Sequence, residues 1–136
     1  MAKISRSPYH GSRYVKRVFN QDTDVRFVHS GDALFIDVPV GGMSLNFGYT
    51  HEGCYNKMII RESLGDLTIN FTNKVSGMML FDLGGQNDTV QSHAADLASA
   101  VVIPAGASDG SIIELICDGS TWYIQGLVHG SEVTSS

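Results

Sequence analysis

The chain has 136 residues, 43% hydrophobic and 17% charged, with a net charge of −5, which fits one domain with a usable core. No stretch approaches the ~20 apolar residues that span a bilayer, and the basic start lacks the apolar run of a secretory signal, so neither a membrane span nor export by that route is expected. The charge is divided: residues 1–20 carry Lys3, Arg6, Arg13, Lys16 and Arg17 and no acid, while residues 21–136 carry all 14 acids against four bases, a net of −10.

The division predicts a basic N-terminal arm over residues 1–20 and a single acidic body over residues 21–136. The alternative for the arm is an ordinary first strand, Arg13–Phe19, with its charges facing water. Lean charge on the body also suggests that part of its surface is covered by neighbours.

Past the arm, short apolar runs alternate with turn residues. The expected strands are Val25–His29, Ala33–Val38, Gly42–Phe47, Lys57–Glu62, Leu67–Thr72, Gly77–Leu83, Ala100–Ile103, Ser111–Cys117 and Trp122–Leu127. Leu67, Ile69 and Phe71 alternate with polar residues and share one face. Between the runs lie Ser30-Gly31-Asp32, Gly41-Gly42, Gly65-Asp66, Gly84-Gly85-Gln86-Asn87-Asp88 and Asp118-Gly119-Ser120, residues suited to turns. Asp118-Gly119, between an apolar and an aromatic run, is the strongest hairpin signal. Ser92–Ala98 alone reads as a helix, of two turns at most. This pattern predicts an all-β fold, an antiparallel β-sandwich of jelly-roll type with an extended N-terminal arm. There is no βαβ rhythm, and no repeat that would indicate a propeller or a solenoid.

Trp122 and Tyr123 point to opposite faces of one strand. Trp122 is expected in the core with Ile124, and Tyr123 at a surface or subunit contact. Met43, Met58, Met78 and Met79 read as core filler. Cys54 and Cys117 read as buried free thiols of a reducing compartment.

Candidate chemistry is sparse. His29-Ser30-Gly31-Asp32 holds an imidazole, a hydroxyl and a carboxylate, but neighbours on one strand end diverge, so a self-capping turn is expected rather than a triad. There is no G-x-S-x-G elbow. His51-Glu52 and Pro104-Ala105-Gly106 are each half of a cupin metal motif, and neither is completed by a second histidine. Asp82–Asp88 lacks the alternating acids of a calcium loop. Paired carboxylates for glycoside hydrolysis depend on the fold rather than on spacing, and a single tryptophan offers little platform for a sugar. The expectation is therefore no enzyme, no catalytic residues, no metal and no cofactor. Nucleic acid is disfavoured as a partner, because a body of net −10 repels the polyanion that the arm would attract.

Three segments carry a resemblance to structural proteins of tailed bacteriophages: Gly53-Cys54-Tyr55-Asn56-Lys57-Met58-Ile59-Ile60, Asp66-Leu67-Thr68-Ile69-Asn70-Phe71, and Ile112-Ile113-Glu114-Leu115-Ile116-Cys117-Asp118-Gly119-Ser120-Thr121-Trp122-Tyr123. The resemblance covers roughly residues 50–127, and its motifs are those of β-hairpins in general. It implies a viral structural protein, most like a capsid cement or decoration protein that sits on the outside of a phage shell and clamps neighbouring capsomers. A trimeric tail-fibre or receptor-binding β domain is the sister reading. A fibre tip would follow a repetitive shaft, and a chain starting at Met1 without one points to cement. A small β-sandwich enzyme or metal protein is the third.

The implied partner is the major capsid protein of the same virus, with self-association as a dimer or trimer, on a virion made in the host bacterial cytoplasm. The residues expected to grip the partner are Ile4, Arg6, Tyr9, Arg13, Tyr14, Lys16 and Arg17. The apolar and aromatic ones would serve as anchors and the basic ones would orient the arm on acidic patches.

Overall fold

The computed structural model describes residues 16–85 and 89–136. These residues form ten strands: β1 (Lys16–Phe19), β2 (Thr23–Val25), β3 (Ala33–Val38), β4 (Met43–Phe47), β5 (Tyr55–Ser63), β6 (Leu67–Asp82), β7 (Gln91–Ile103), β8 (Ser111–Cys117), β9 (Trp122–His129) and β10 (Thr134–Ser135). The only helical turn among them is a single 3-10 turn, Phe27–His29. The protein is all-β.

All ten strands belong to one sheet, ordered β1-β3-β5-β8-β9-β6-β4-β2, with β7 beside β6 and β10 beside β7. Its two outermost strands, β1 and β2, are consecutive in the chain and separated only by residues 20–22. The sheet is therefore nearly closed and barrel-like, with its core inside. The expected antiparallel jelly-roll sandwich gives way to this arrangement, since β1–β3, β3–β5, β2–β4, β4–β6 and β6–β9 all pair in parallel.

Parallel pairing without helices is possible because the chain winds. From β1 to β6 it passes alternately between two stacks, β1/β3/β5 and β2/β4/β6, and each circuit lays a strand beside the one before. Three rungs stack in this solenoid-like way although no sequence repeat announces them. At their corners the backbones touch: a Cβ on Gly65 would collide with both Gly42 N and Pro39 O, so only glycine lets the rungs close up there.

Alternation within each strand sends one set of side chains inward. Val25, Phe47 and Phe71 stand in register across β2, β4 and β6, and the Phe47 and Phe71 rings stack at 5.5 Å. Trp122 is fully buried edge-on to Phe47 at 5.1 Å, and its indole N–H donates to the Tyr49 carbonyl at 3.1 Å. Ile124 shares that inner face, and Tyr123 points outward, as expected. Met43, Met58 and Met79 fill the core, but Met78 lies outside it.

The second half departs from the expected elements in two places. The expected strands Leu67–Thr72 and Gly77–Leu83 merge, short of Leu83, into one bent strand, β6, whose first part pairs with β4 and whose second part pairs with β9. The bend falls at irregular pairing between Asn70 and Gly77, and a Cβ on Gly77 would collide with the Ile124 carbonyl oxygen. Ser92–Ala98, expected as a helix, lies within strand β7 and pairs with β6. Its alanines suit a helix locally, but Ala95 and Ala98 are buried against the core and pair with β6, and tertiary context decides. The β8–β9 hairpin turns at Asp118-Gly119, as expected.

Candidate functional site

Of the residues expected to grip a partner, Lys16 and Arg17 lie in β1; Ile4, Arg6, Tyr9, Arg13 and Tyr14 fall outside the described residues. β1 is an edge strand whose only partner among the described residues is β3. Residues 16–19 form a strand, residues 13–15 of the expected alternative lie outside the described residues, and the Arg17 charge is paired rather than left to water.

Both bases are held in place. Arg17 Nε donates to Asp32 Oδ2 at 2.8 Å, and Asp32 is buried, so this guanidinium anchors β1 to the turn before β3. Lys16 lies 5.5 Å from the centre of the Phe35 ring, which Arg61 also approaches at 5.5 Å. Arg61 in turn grips both oxygens of Asp37, through Nε at 2.9 Å and Nη2 at 2.5 Å, and this holds the Asp37 carboxyl below its usual range.

His29-Ser30-Gly31-Asp32 is a turn rather than a triad, but its Ser30 and Asp32 side chains reach other strands instead of capping the turn itself. Ser30 Oγ accepts the Tyr55 amide N–H at 3.1 Å, and the Asp32 amide donates to the His29 carbonyl at 3.0 Å. His29 Nδ1 accepts the Arg26 amide N–H at 3.0 Å, and the ring packs edge-on to Phe19 of β1 at 5.6 Å. Burial, then the Arg17 charge, lowers the His29 pKa. Buried Asn56 closes the turn from below, donating to the His29 carbonyl at 2.7 Å.

The remaining candidates are dispersed. His129 Nδ1 lies 2.6 Å from Asp82 Oδ1, and Asp82 also accepts the Gly84 amide at 2.8 Å. Gln86, Asn87 and Asp88 of that loop lie outside the described residues. His93 Nε2 lies 2.7 Å from Ser135 Oγ, joining β7 to β10. His51 lies beside Tyr49, and the Pro104-Ala105-Gly106 corner is tied down by Asp66 and Ser63. Among the described residues no three His, Cys, Asp or Glu side chains gather as a metal ion requires.

One surface was missed by the sequence reading. Across β1, β3, β5, β8, β9 and β6, the outward residues Val18, Phe35, Ile59, Ile112, Leu127 and Leu80 stand in register as one apolar row. A second row, Tyr55, Ile116 and Tyr123, runs beside it. Between them lie Lys57, Glu114, Gln125 and Met78. Leu127 and Met78 are 54% exposed, Ile116 50% and Tyr123 45%, while Phe35, Ile59 and Ile112 are half-buried, so this outer face is apolar and in part open to water. Two shallow grooves cross it and share Glu114 and Gln125. The signal was present in Ser111–Cys117, where Ile112 and Ile116 alternate with Ile113 and Leu115: both faces of β8 are apolar.

Compared with protein-family profiles, curated proteins and solved structures, the chain matches none. No helix among the described residues is long and apolar enough to cross a membrane.

Proposed function

We propose that the protein is a non-enzymatic structural protein of a viral particle, of the cement or decoration kind, attached through its basic N-terminal end to the major capsid protein on the outside of the shell. The observation that carries this reading is the place of β1. It is the last strand on its side of the sheet, and the basic segment of the chain runs directly into it. An edge strand offers unpaired backbone groups to an added strand, while neighbouring cations choose an acidic partner and its orientation. A joint bridged this way gains buried area, and symmetry repeats the gain around the particle.

The test is cosedimentation with shells that lack the protein. The full chain should saturate the shell. The triple reversal Lys3→Glu, Arg6→Glu, Arg13→Glu should abolish binding while leaving the body's thermal unfolding unchanged. Full occupancy by the reversed protein would remove the role given to the basic end.

A fibre or receptor-binding domain is the second reading, favoured by the stacked rungs of β1–β6, because a rung stack can be continued from its open edge. It predicts a trimer in solution that is retained on host-surface glycans. A chain that is neither trimeric nor glycan-retained refutes it.

A further inference from the structure

The outer face of the sheet is apolar where a solvated sheet face is normally polar. The six-residue apolar row has a centre. It falls between β5 and β8, with Val18, Phe35 and Ile59 on one side and Ile112, Leu127 and Leu80 on the other. The charges of the neighbouring row are arranged about the same line: Lys57 on β5 stands in register with Glu114 on β8. Glu114 is held in position by the Tyr55 hydroxyl, which donates to its Oε2 at 2.5 Å.

We propose that this face binds the same face of a second copy of the chain, about a two-fold axis running along the strands between β5 and β8. Such an axis lays β5 of each copy on β8 of the other and β3 on β9. Ile59 then meets Ile112, and Phe35 meets Leu127. Lys57 of each copy faces Glu114 of the other, so the same operation that joins apolar to apolar joins each charge to its opposite. A two-fold interface must be self-complementary, and this surface is. Neighbouring strands lie ~4.8 Å apart, so the four nearest the axis, β3, β5, β8 and β9, spread over roughly 14 Å before the barrel-like sheet curves away, and the contact centres on them. The inference is independent of whether the basic end docks on a shell.

Sedimentation velocity on the full chain tests it. The wild type should be a dimer. Lys57→Glu sets two carboxylates against each other across the interface, and Glu114→Lys sets two ammonium groups against each other. Each variant alone should dimerise more than about tenfold more weakly. Mixed in equal amounts the two variants should form a heterodimer, because each then presents the charge the other lacks. The double exchange Lys57→Glu with Glu114→Lys should restore the homodimer. Circular dichroism and melting of each single variant show that the fold is kept. A wild-type monomer overturns the proposal, whether it stays free or binds phospholipid vesicles. So do single variants that associate as tightly as the wild type, or a mixture no tighter than either single variant.

Discussion

Cys54 and Cys117 face each other across β5 and β8, the Cys117 amide donating to the Cys54 carbonyl at 2.9 Å. They lie just past the last paired residues, Tyr55 and Ile116, where Gly53 also donates to the Cys117 carbonyl at 2.8 Å, and both thiols are buried and free. A disulfide needs Cβ atoms ~3.5–4.5 Å apart, so whether these neighbouring thiols can join is a direct test of how close β5 and β8 stay at this end. Burial pushes the Cys117 thiol up, so little thiolate exists at neutral pH. Attack by Cys117 on glutathione disulfide should therefore be slow at pH 7 and speed up as pH rises, the resulting mixed disulfide giving way to the Sγ–Sγ bond with Cys54 while the oxidant is reduced to two glutathione thiols. Intact mass and thiol titration check this. A stable glutathione adduct, or a crosslink between chains, would show that the pair cannot close.

The rungs are joined on their outer side by a polar ladder. Asn70 Nδ2 donates to Asn46 Oδ1 at 2.9 Å, and Asn46 Nδ2 donates to Asp24 Oδ1 at 3.0 Å. Asn46→Ala removes both bonds and should cost about 1–2 kcal/mol in urea unfolding. Asn46→Asp should be worse at pH 7, because it sets a carboxylate against Asp24. Equal costs for the two variants at pH 7 would mean that the ladder is not held as described.

That ladder also marks what was legible in the sequence. Ala33–Val38, Ser111–Cys117, the Asp118-Gly119 turn and the inward Trp122 depend on local alternation and turn chemistry, and all stand where expected. The parallel register does not depend on local signals. Asp24, Asn46 and Asn70 are polar outward residues on short strands, and nothing in each neighbourhood says that they stack. Gly77 was read as a strand boundary, yet it lets β6 bend and continue. The outer apolar row was hidden in the same way, because its members come from six strands that only the register aligns.

The β8–β9 turn rests on one carboxylate. Asp118 Oδ1 accepts the Ser120 and Thr121 amides at 2.9 and 2.8 Å, and these bonds hold its pKa below the usual range. A carboxylate whose folded pKa is depressed contributes stability that is present above the unfolded value of ~4 and is lost as pH falls through the folded value. Asp118→Ala should therefore lower the urea midpoint at pH 7, and its difference from wild type should shrink as pH falls below the unfolded value of ~4. Asp118→Asn, which keeps an acceptor at that position, should fall between. A pH-independent effect of Asp118→Ala would assign the residue a purely steric role.

The basic edge has its own pH dependence, set by His29. The ring accepts the Arg26 amide through Nδ1 and braces Phe19 of β1, and burial and Arg17 hold its pKa below 6.5. Protonation removes the acceptor and adds a cation beside Arg17. With the folded value below the unfolded one, the stabilisation is complete above pH ~6.5 and is lost as pH falls through the folded value. Amide hydrogen exchange at Val18 and Phe19 should accordingly speed up on acidification from pH 7 to pH 5, beyond the intrinsic pH dependence of exchange and ahead of global unfolding. His29→Asn keeps a neutral acceptor and should flatten that response. If β1 is the docking edge, partner binding should weaken over the same interval in wild type and not in His29→Asn. Identical pH profiles for the two proteins would remove His29 from control of this edge.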